Sequence, residues 1–518
     1  MSSVTSKDSN EFQHPPAGIP RGKGVYLSAI VAAIGGFLSG YDTGATSGVL
    51  TMEPFVNRFF SPENLAYLQG LMLAFFLMTA ALAAFCSGPV CDRLSRKYSV
   101  VLSATFFCIG NMFMVIGYNY GLFLAGRLVA GIGAGLMTNA IPLYHSEIAP
   151  PEIRGRLISF FTLMSLFGQV VGYFITFGTS HLSTDWSWRA PYMMQCLLAV
   201  IFGLSMLPMP YSPRWLVYRG RAEEGLASLV SLRGVDAENP IIKQEYQEIV
   251  DELEFEKSLG KRSYLELFER KNRKQFFSAL FVGIGTAFLG TVAISYFAPQ
   301  IFQAAGLSDV SSSIAATGGT GLLSLVLAGV SLQWLVDSLG RRILFITGAG
   351  AMGVSMFIVG AIFQVYTQVD PVSGDVSITN TNATNTIIAF IYLFTGFYAL
   401  TWGITTYVYP SEVFNMRVRA KGMSLCFGFN WGFTILITYC MPLFLEHTVS
   451  GKPNASHLKR WTAFLAPNER FHQYRIKPQT AGVTVPSSAD SSSPSLHVLC
   501  NMSRIRDESR WNDKPVLV

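Results

Sequence analysis

Polar and apolar residues are sorted along this chain in long blocks. Residues 1–24 are polar, and an apolar run opens near Val25. Runs of similar character return near 65–88, 98–118, 121–144, 157–179 and 190–208. A charged segment from Tyr211 to about Lys274 breaks the series, and five more runs follow near 275–303, 312–336, 343–366, 386–410 and 422–445. A helix needs about 20 mostly apolar residues to cross the hydrocarbon core, and only helices or closed barrels satisfy their backbone groups there. The pattern therefore predicts an all-α polytopic membrane protein of six spans, a loop and five spans. The run at Val25 is too long for a cleavable signal segment. Beyond Leu445 no run of spanning length follows, and Thr480–Ser495 is Ser/Pro-rich and reads as disordered. The expected divisions are a tail over 1–24, a first half over 25–210, a central loop over 211–274, a second half over 275–445 and a polar tail over 446–518.

Basic residues sharpen this picture into a topology. Every second loop carries them: Arg93, Arg96 and Lys97; Arg154 and Arg156; the central loop; Arg341 and Arg342; Arg417, Arg419 and Lys421. The intervening loops, such as 119–121 and 367–385, are poor in positive charge. The positive-inside rule then places the N terminus and central loop in the cytosol, consistent with a weak glycosylation sequon at Asn382 on the other side. Within the central loop, Ala237–Lys257 reads as amphipathic helix, a solvated lid under the bundle. Composition agrees: 50% of residues are hydrophobic and 14% charged, against about 25% charged in soluble domains, and mean hydropathy is +0.37. A net charge of +6 over 518 residues points to no nucleic-acid partner. The seven cysteines show no metal spacing and no disulfide framework.

Two polar motifs occur twice. Asp92-Arg93-Leu-Ser-Arg96-Lys97 follows the second run, and Asp337-Ser-Leu-Gly340-Arg341-Arg342 follows the eighth, a separation of 337 − 92 = 245 residues. Ser146-Glu147 precedes Arg154, and Ser411-Glu412 precedes Arg419, with the same seven-residue step and a separation of 412 − 147 = 265. Two repeated halves with matching charged turns on one side mark an alternating-access transporter. Asp92 and Asp337 are expected to cap helix N-termini. Arg93, Arg96, Arg341 and Arg342 are expected to pair with Glu147 and Glu412 across the cytosolic seam, forming a gate together with Arg154 and Arg419.

Inside the runs, ionisable and amide side chains are the candidates for chemistry. Asp42 sits mid-run in Gly40-Tyr41-Asp42-Thr43-Gly44, and Arg127 opens the fourth run. Each charge costs about 2.5–3.5 kcal/mol on insertion scales, so roughly 5–7 kcal/mol for two unpaired charges favours pairing. The pair is either a static brace or a proton switch in which Asp42 is protonated when Arg127 moves away. Gln169 lies mid-run between Gly168 and Gly172 and needs hydrogen-bond partners, from a hydroxylated ligand or another helix. Gly131-Ile-Gly133-Ala-Gly135 follows no strand, so it reads as close helix packing and not as a nucleotide loop.

With these residues in place the chain resembles the sugar porter family of the major facilitator superfamily, particularly its fungal members, from about Gly24 to Leu445. The motifs run in order: GYDTG (40–44), DRLSRK (92–97), GRLVAGIGAG (126–135), PLYHSEIAPPEIRG (142–155), WSWRAP (186–191), PYSPRWL (210–216), YFAPQIF (296–302), VDSLGRR (336–342) and VYPSEVFNMRVRAKG (408–422). The resemblance implies a major facilitator fold of two six-helix halves. Eleven spans are evident here and the twelfth reads as missing, so a truncated or disrupted gene product is one hypothesis, which re-sequencing the transcript around codon 445 would settle. By resemblance, Asp42 and Arg127 match the proton-coupling pair and Gln169 a sugar-binding glutamine.

Departures lie in the second half. The family's glutamine pair falls on Thr286 and Ala287, its asparagines on Val292, near Leu325 and on Thr434, and its tryptophan on Tyr407. Buried ligand hydroxyls without partners cost about 1–3 kcal/mol each, so the cavity is expected to suit a ligand other than an ordinary hexose. Thr286, Tyr296, Tyr407 and Thr434 are the expected substrate contacts there. The chain is thus expected to transport a monosaccharide or sugar-like molecule (polyol or sugar acid) by alternating access, through proton symport or, as an open alternative, facilitated diffusion, in the plasma membrane and without cofactor or metal. No nucleophile–base set, metal cluster or phosphate loop supports an enzyme. The alternatives are a non-transporting nutrient sensor and an inactive truncated transporter.

Overall fold

The computed structural model describes Gly22 to Val449 apart from short stretches at 62–63, 259–263, 308, 367, 370–375, 379 and 415. The N-terminal tail before Gly22 and the tail beyond Val449 lie outside the described residues. Among the described residues, eleven helical segments are long and apolar enough to cross a membrane. They are span 1 (Lys23–Val49), span 2 (Leu65–Leu94), span 3 (Arg96–Ile116), span 4 (Tyr120–Ile148), span 5 (Pro151–Thr179), span 6 (Trp186–Met206), span 7 (Arg273–Ala304), span 8 (Val310–Leu335), span 9 (Arg341–Tyr366), span 10 (Thr381–Val413) and span 11 (Lys421–Met441). Among the described residues the only strands are two-residue segments, Gln368–Val369 and Val376–Ser377, paired antiparallel between spans 9 and 10.

Several helices outrun the apolar blocks that announce them. Span 2 continues through Asp92 and Arg93 to Leu94, and span 3 begins at Arg96. The whole turn is Ser95, at φ 86° and ψ 159°, a conformation that glycine tolerates far better than other residues. The equivalent turn of the second half is Gly340, at φ 77° and ψ 152°. Ser95, not Asp92, caps the following helix, its Oγ accepting from the Tyr98 amide at 3.2 Å. The expected capping role of Asp92 is therefore corrected: Asp92 lies in the last turn of span 2. Asp337 lies in the helix Val336–Leu339, ahead of Gly340 rather than at the start of span 9, and its side chain falls outside the described residues.

Spans 7 and 10 are interrupted. Span 7 consists of Arg273–Phe288 and Thr291–Ala304, broken at Gly290 with φ 70°. Span 10 consists of Thr381–Leu400 and Trp402–Val413, broken at Thr401. Such breaks are tolerated in a bilayer only where protein or a cavity surrounds the freed backbone. Their counterparts in the first half, spans 1 and 4, are continuous.

Glycines let the first half close up. A side chain at Gly40 would overlap the Ser165 carbonyl, and one at Gly168 the Phe37 carbonyl. Spans 1 and 5 thus pack backbone to backbone. Gly131 and Gly135 meet the Phe76 and Ala80 carbonyls of span 2 in the same way, as the packing reading of that motif predicts. The central segment forms helices at Pro213–Tyr218, Ala222–Arg233 and Pro240–Ser258. It is tied to the first half by Arg233 Nη1 donating to the Ile148 carbonyl at 2.9 Å and Trp215 Nε1 to the Asp92 carbonyl at 3.0 Å. The lid helix begins at Pro240, not Ala237, and buries Ile242 and Leu253 while leaving Phe255 exposed.

The halves touch toward both ends. Near the end carrying the central segment, Phe85 meets Phe429 edge-on at 5.7 Å and Phe161 meets Tyr407 at 6.2 Å. Near the opposite end, Gln300 Nε2 donates to Gln69 Oε1 at 3.1 Å. The close approach of spans 1 and 5 yields a test. Gly168→Val is expected to destabilise the detergent-solubilised protein by about 1–3 kcal/mol through overpacking. Gly178→Val, on the same span but with nothing within 4 Å of the new Cβ, should shift the thermal midpoint far less; equal shifts would refute the packing account.

Candidate functional site

Asp42 and Arg127 are both fully buried, on spans 1 and 4. Arg127 Nη1 donates to both carboxylate oxygens, at 2.8 and 3.0 Å. Arg127 Nη2 reaches the Tyr192 hydroxyl at 3.0 Å and also the Thr46 hydroxyl. Gln195 Nε2 of span 6 donates to Asp42 Oδ1 at 3.1 Å. Above and below, the guanidinium lies over the Phe76 and Tyr192 rings at 5.4 and 5.3 Å. Two buried polar atoms remain without partners, Arg127 Nε and Gln195 Oε1. The pairing expected from the sequence is thus present. Thr46, Tyr192 and Gln195 complete it and were not anticipated. Gln195 carries the same signal as Gln169, an amide inside an apolar run. Tyr192 and Thr46 give no such signal, because either residue type is ordinary in a span.

Several of the expected ligand contacts already hold partners within the protein. Gln169 is half-buried; its Nε2 donates to Tyr173 at 2.7 Å, and Tyr173 donates to the Ser295 carbonyl of span 7 at 3.0 Å. Its Oε1 has no partner among the described residues. Tyr296 is buried beside Thr43, whose hydroxyl donates to it at 3.5 Å. Thr286 is buried, donates to the Val282 carbonyl at 2.9 Å and shares a hydrogen bond with Thr406 at 3.0 Å. Thr434 donates to the Asn430 carbonyl in its own helix at 2.8 Å. Both threonine hydroxyls therefore have partners within the protein. Tyr407 stacks on Phe427 at 5.1 Å. One residue that sequence reasoning passed over belongs here, Asn430, along with Thr405, which the sequence already offers as a hydroxyl. Asn430, one turn before Thr434, donates to the Gly283 carbonyl of span 7 at 2.8 Å. Thr405 has a buried hydroxyl with no partner.

At the basic end the motifs build two ion pairs. Arg96 meets Glu147 at 2.9 Å and Asp92 at 3.2 Å, and Ser212 donates to Glu147 at 2.6 Å. Arg341 meets Glu412 at 2.9 Å. The expectation of pairing across the seam is corrected: each pair lies within one half. Each joins the start of one span to the end of another in the same half, because the repeat places both members on neighbouring helices. Arg93 and Arg342 are exposed and pair with neither Glu147 nor Glu412. The two pairs also differ in weight. Arg96 and Glu147 have side chains only 7% exposed, whereas Arg341 and Glu412 are 28% and 43% exposed. An exposed pair contributes about 0–1 kcal/mol; breaking a buried one costs about 3–5 kcal/mol.

Near the seam, Arg419 has the guanidinium groups of Arg154 and Arg214 beside it as well as the carboxylates of Glu252 and Glu412. Burial, and then the neighbouring guanidinium groups of Arg154 and Arg214, pull Arg419 down to about 10. Of the three, Arg214 is paired with Glu252 at 2.9 Å, while Arg154 Nε is buried without a partner. No group of three or more potential metal ligands occurs among the described residues.

The profile of the family described as "Sugar (and other) transporter" matches residues 28–455. A probable quinate permease of Aspergillus niger is 33% identical over 433 residues, covering 81% of this chain and 79% of that protein. Sugar transport protein 4 of Arabidopsis thaliana is 29% identical over 475 residues, covering 89% of each. Among solved structures, the proton:xylose symporter XylE bound to 6-bromo-6-deoxy-D-glucose superposes with a TM-score of 0.71 at 24% identity, covering 86% of this chain and 94% of that one. At that identity the likeness shows the fold alone.

Because Asp42 and Arg127 are fully buried and paired, removing one should cost more than removing both. Arg127→Met is expected to lower stability by about 3–5 kcal/mol, and the double variant Asp42→Asn/Arg127→Met to recover most of that loss. Denaturation of the purified proteins in detergent measures it; a double variant as unstable as the sum of the singles would contradict the pairing.

Proposed function

The chain belongs to the sugar (and other) transporter family, and from that premise we propose that it carries a monosaccharide or sugar-like molecule across the membrane by alternating access, coupled to proton symport. It is a multi-pass membrane protein and not an enzyme. The observation that carries the coupling is the fully buried Asp42–Arg127 pair at 2.8 Å. With Arg127 in place, the carboxylate has a full counter-ion and a second donor in Gln195. Should Arg127 withdraw toward Tyr192 and Thr46, which already hold its other nitrogen, Asp42 would be left buried and anionic. Proton uptake is then the least costly way to neutralise it. Proton occupancy and helix position are linked through that one contact.

Ligand binding falls, in this reading, to Gln169, Tyr296 and Tyr407 with Thr286 and Thr434 lining the second half. The free Oε1 of Gln169 and the unpartnered hydroxyl of Thr405 are the groups with hydrogen-bonding capacity to offer. Both ends of the proposed site are tied to movable parts, Gln169 through Tyr173 to span 7 and Thr286 to span 10. Few amides and several hydroxyls favour a polyol or sugar acid over a hexose. Relatives named for quinate, a hydroxylated ring acid, and for sugars support the same class.

Gating follows from the charges at the basic end. The ion pairs Arg96–Glu147 and Arg341–Glu412 stiffen each half, and the repulsion of Arg419 by Arg154 and Arg214 favours separation of the halves once the apolar seam loosens. The positive-inside pattern puts this end in the cytosol, and we place the protein in the plasma membrane.

Uptake of labelled hexoses, polyols and quinate into proteoliposomes, with and without an inward proton gradient, tests the proposal. Saturable uptake raised by the gradient is expected for at least one of them. Asp42→Asn should abolish accumulation driven by the gradient yet keep exchange of labelled for unlabelled substrate, since exchange needs no net proton movement. Absence of saturable uptake of every compound defeats the transport reading. Uptake indifferent to the gradient defeats proton coupling alone.

A further inference from the structure

Six cysteines are described, and all are free. Two of them meet. Cys108 of span 3 and Cys196 of span 6 bring their sulfurs to 3.3 Å, and Cys196 Sγ lies 3.8 Å from the Cys108 carbonyl. Each is partly exposed, and Ile109, Met112, Met193 and Leu197, within four residues of them on the same helices, are exposed. All four neighbours are apolar, so the pair is open to the bilayer and reachable by a lipid-soluble reagent. Cys196 directly follows Gln195, the residue that holds Asp42 at 3.1 Å.

A disulfide would require the sulfurs to close to about 2.05 Å and an oxidant to remove two electrons. A trivalent organoarsenical needs neither. Its arsenic is soft and prefers thiol ligands, and one arsenic bridges two sulfurs at close to their observed separation. Two As–S bonds form, the two thiol protons leave with the arsenic-bound oxygen as water, and no atom changes oxidation state. The second bond forms within one molecule and so at high effective concentration. That distinguishes the pair from the other described cysteines, none of which has a second sulfur in contact. We propose that Cys108 and Cys196 form a dithiol site in the first half that chelates trivalent organoarsenicals from the membrane phase, bridging span 3 to span 6.

The test uses the full-length reduced protein in detergent micelles, treated with phenylarsine oxide and followed by intact mass and peptide mapping. One adduct per chain is expected. It should survive washing with the monothiol glutathione and leave with the dithiol 2,3-dimercaptopropanol. Mapping should place it on the peptides of Cys108 and Cys196 together. Cys108→Ser and Cys196→Ala are each expected to lower the retained adduct at least about tenfold through loss of chelation, while Cys86→Ser and Cys440→Ser leave it unchanged. A wild-type adduct that glutathione strips, one mapped to other cysteines, or one retained in Cys108→Ser overturns the proposal. The wild-type arms decide even if a variant fails to fold.

Discussion

A carboxylate and a guanidinium with no access to water organise the first half of this protein. In a medium of low dielectric neither charge is tolerable alone, so spans 1 and 4 must be set to within a hydrogen bond of each other. The surroundings follow from that requirement. Span 6 supplies Gln195 and Tyr192 as further partners, span 2 supplies the Phe76 ring, and Thr46 of span 1 takes the remaining nitrogen. Glycines at Gly40, Gly44, Gly168 and Gly172 bring span 5 against the same stretch of span 1. Gln169 is therefore carried on a helix packed directly behind Asp42.

Among the described residues the second half has no such buried pair, and two of its spans are interrupted. Breaks at Gly290 and Thr401 leave spans 7 and 10 as jointed elements, and both meet the first half across the seam, where span 8 also packs on span 5 at Gly318 and Gly321. Their contacts are hydroxyl, aromatic and carbonyl groups: Thr43 with Tyr296, Tyr173 with the Ser295 carbonyl, Phe161 with Tyr407. None is an ion pair, so each can part at modest cost. The strong ionic contacts lie within halves. In the proposed mechanism this division suits rigid halves moving about a soft seam.

The spans themselves were legible because lipid imposes one rule on every residue: apolar side chains and an internally bonded backbone. Asp42 and Arg127 stood out for the converse reason, as costly exceptions in apolar runs. Asp92 misled because a carboxylate near a turn resembles a cap. Span 2 simply continues past the apolar block until Ser95, and no composition signal marks where a helix reverses in so few residues. The expected seam pairs failed on a similar point. Matching charges in two halves fix how the halves resemble each other, but not which neighbour each charge faces.

From the sequence alone came the number of described spans, the charged side of the protein, the duplicated halves and the identity of the buried pair. These depend on hydropathy, charge sorting and repetition, all of which are local or periodic properties of the chain. Only the tertiary structure decided that Gln195, Tyr192 and Thr46 complete the pair, that Thr286 and Thr434 turn their hydroxyls to protein partners, that Asn430 reaches span 7, and that Cys108 meets Cys196. Each joins residues distant along the chain, or sets one helical turn against another. Such choices are made by the packing of whole helices, where a rotation of one turn exchanges the partner of every polar side chain.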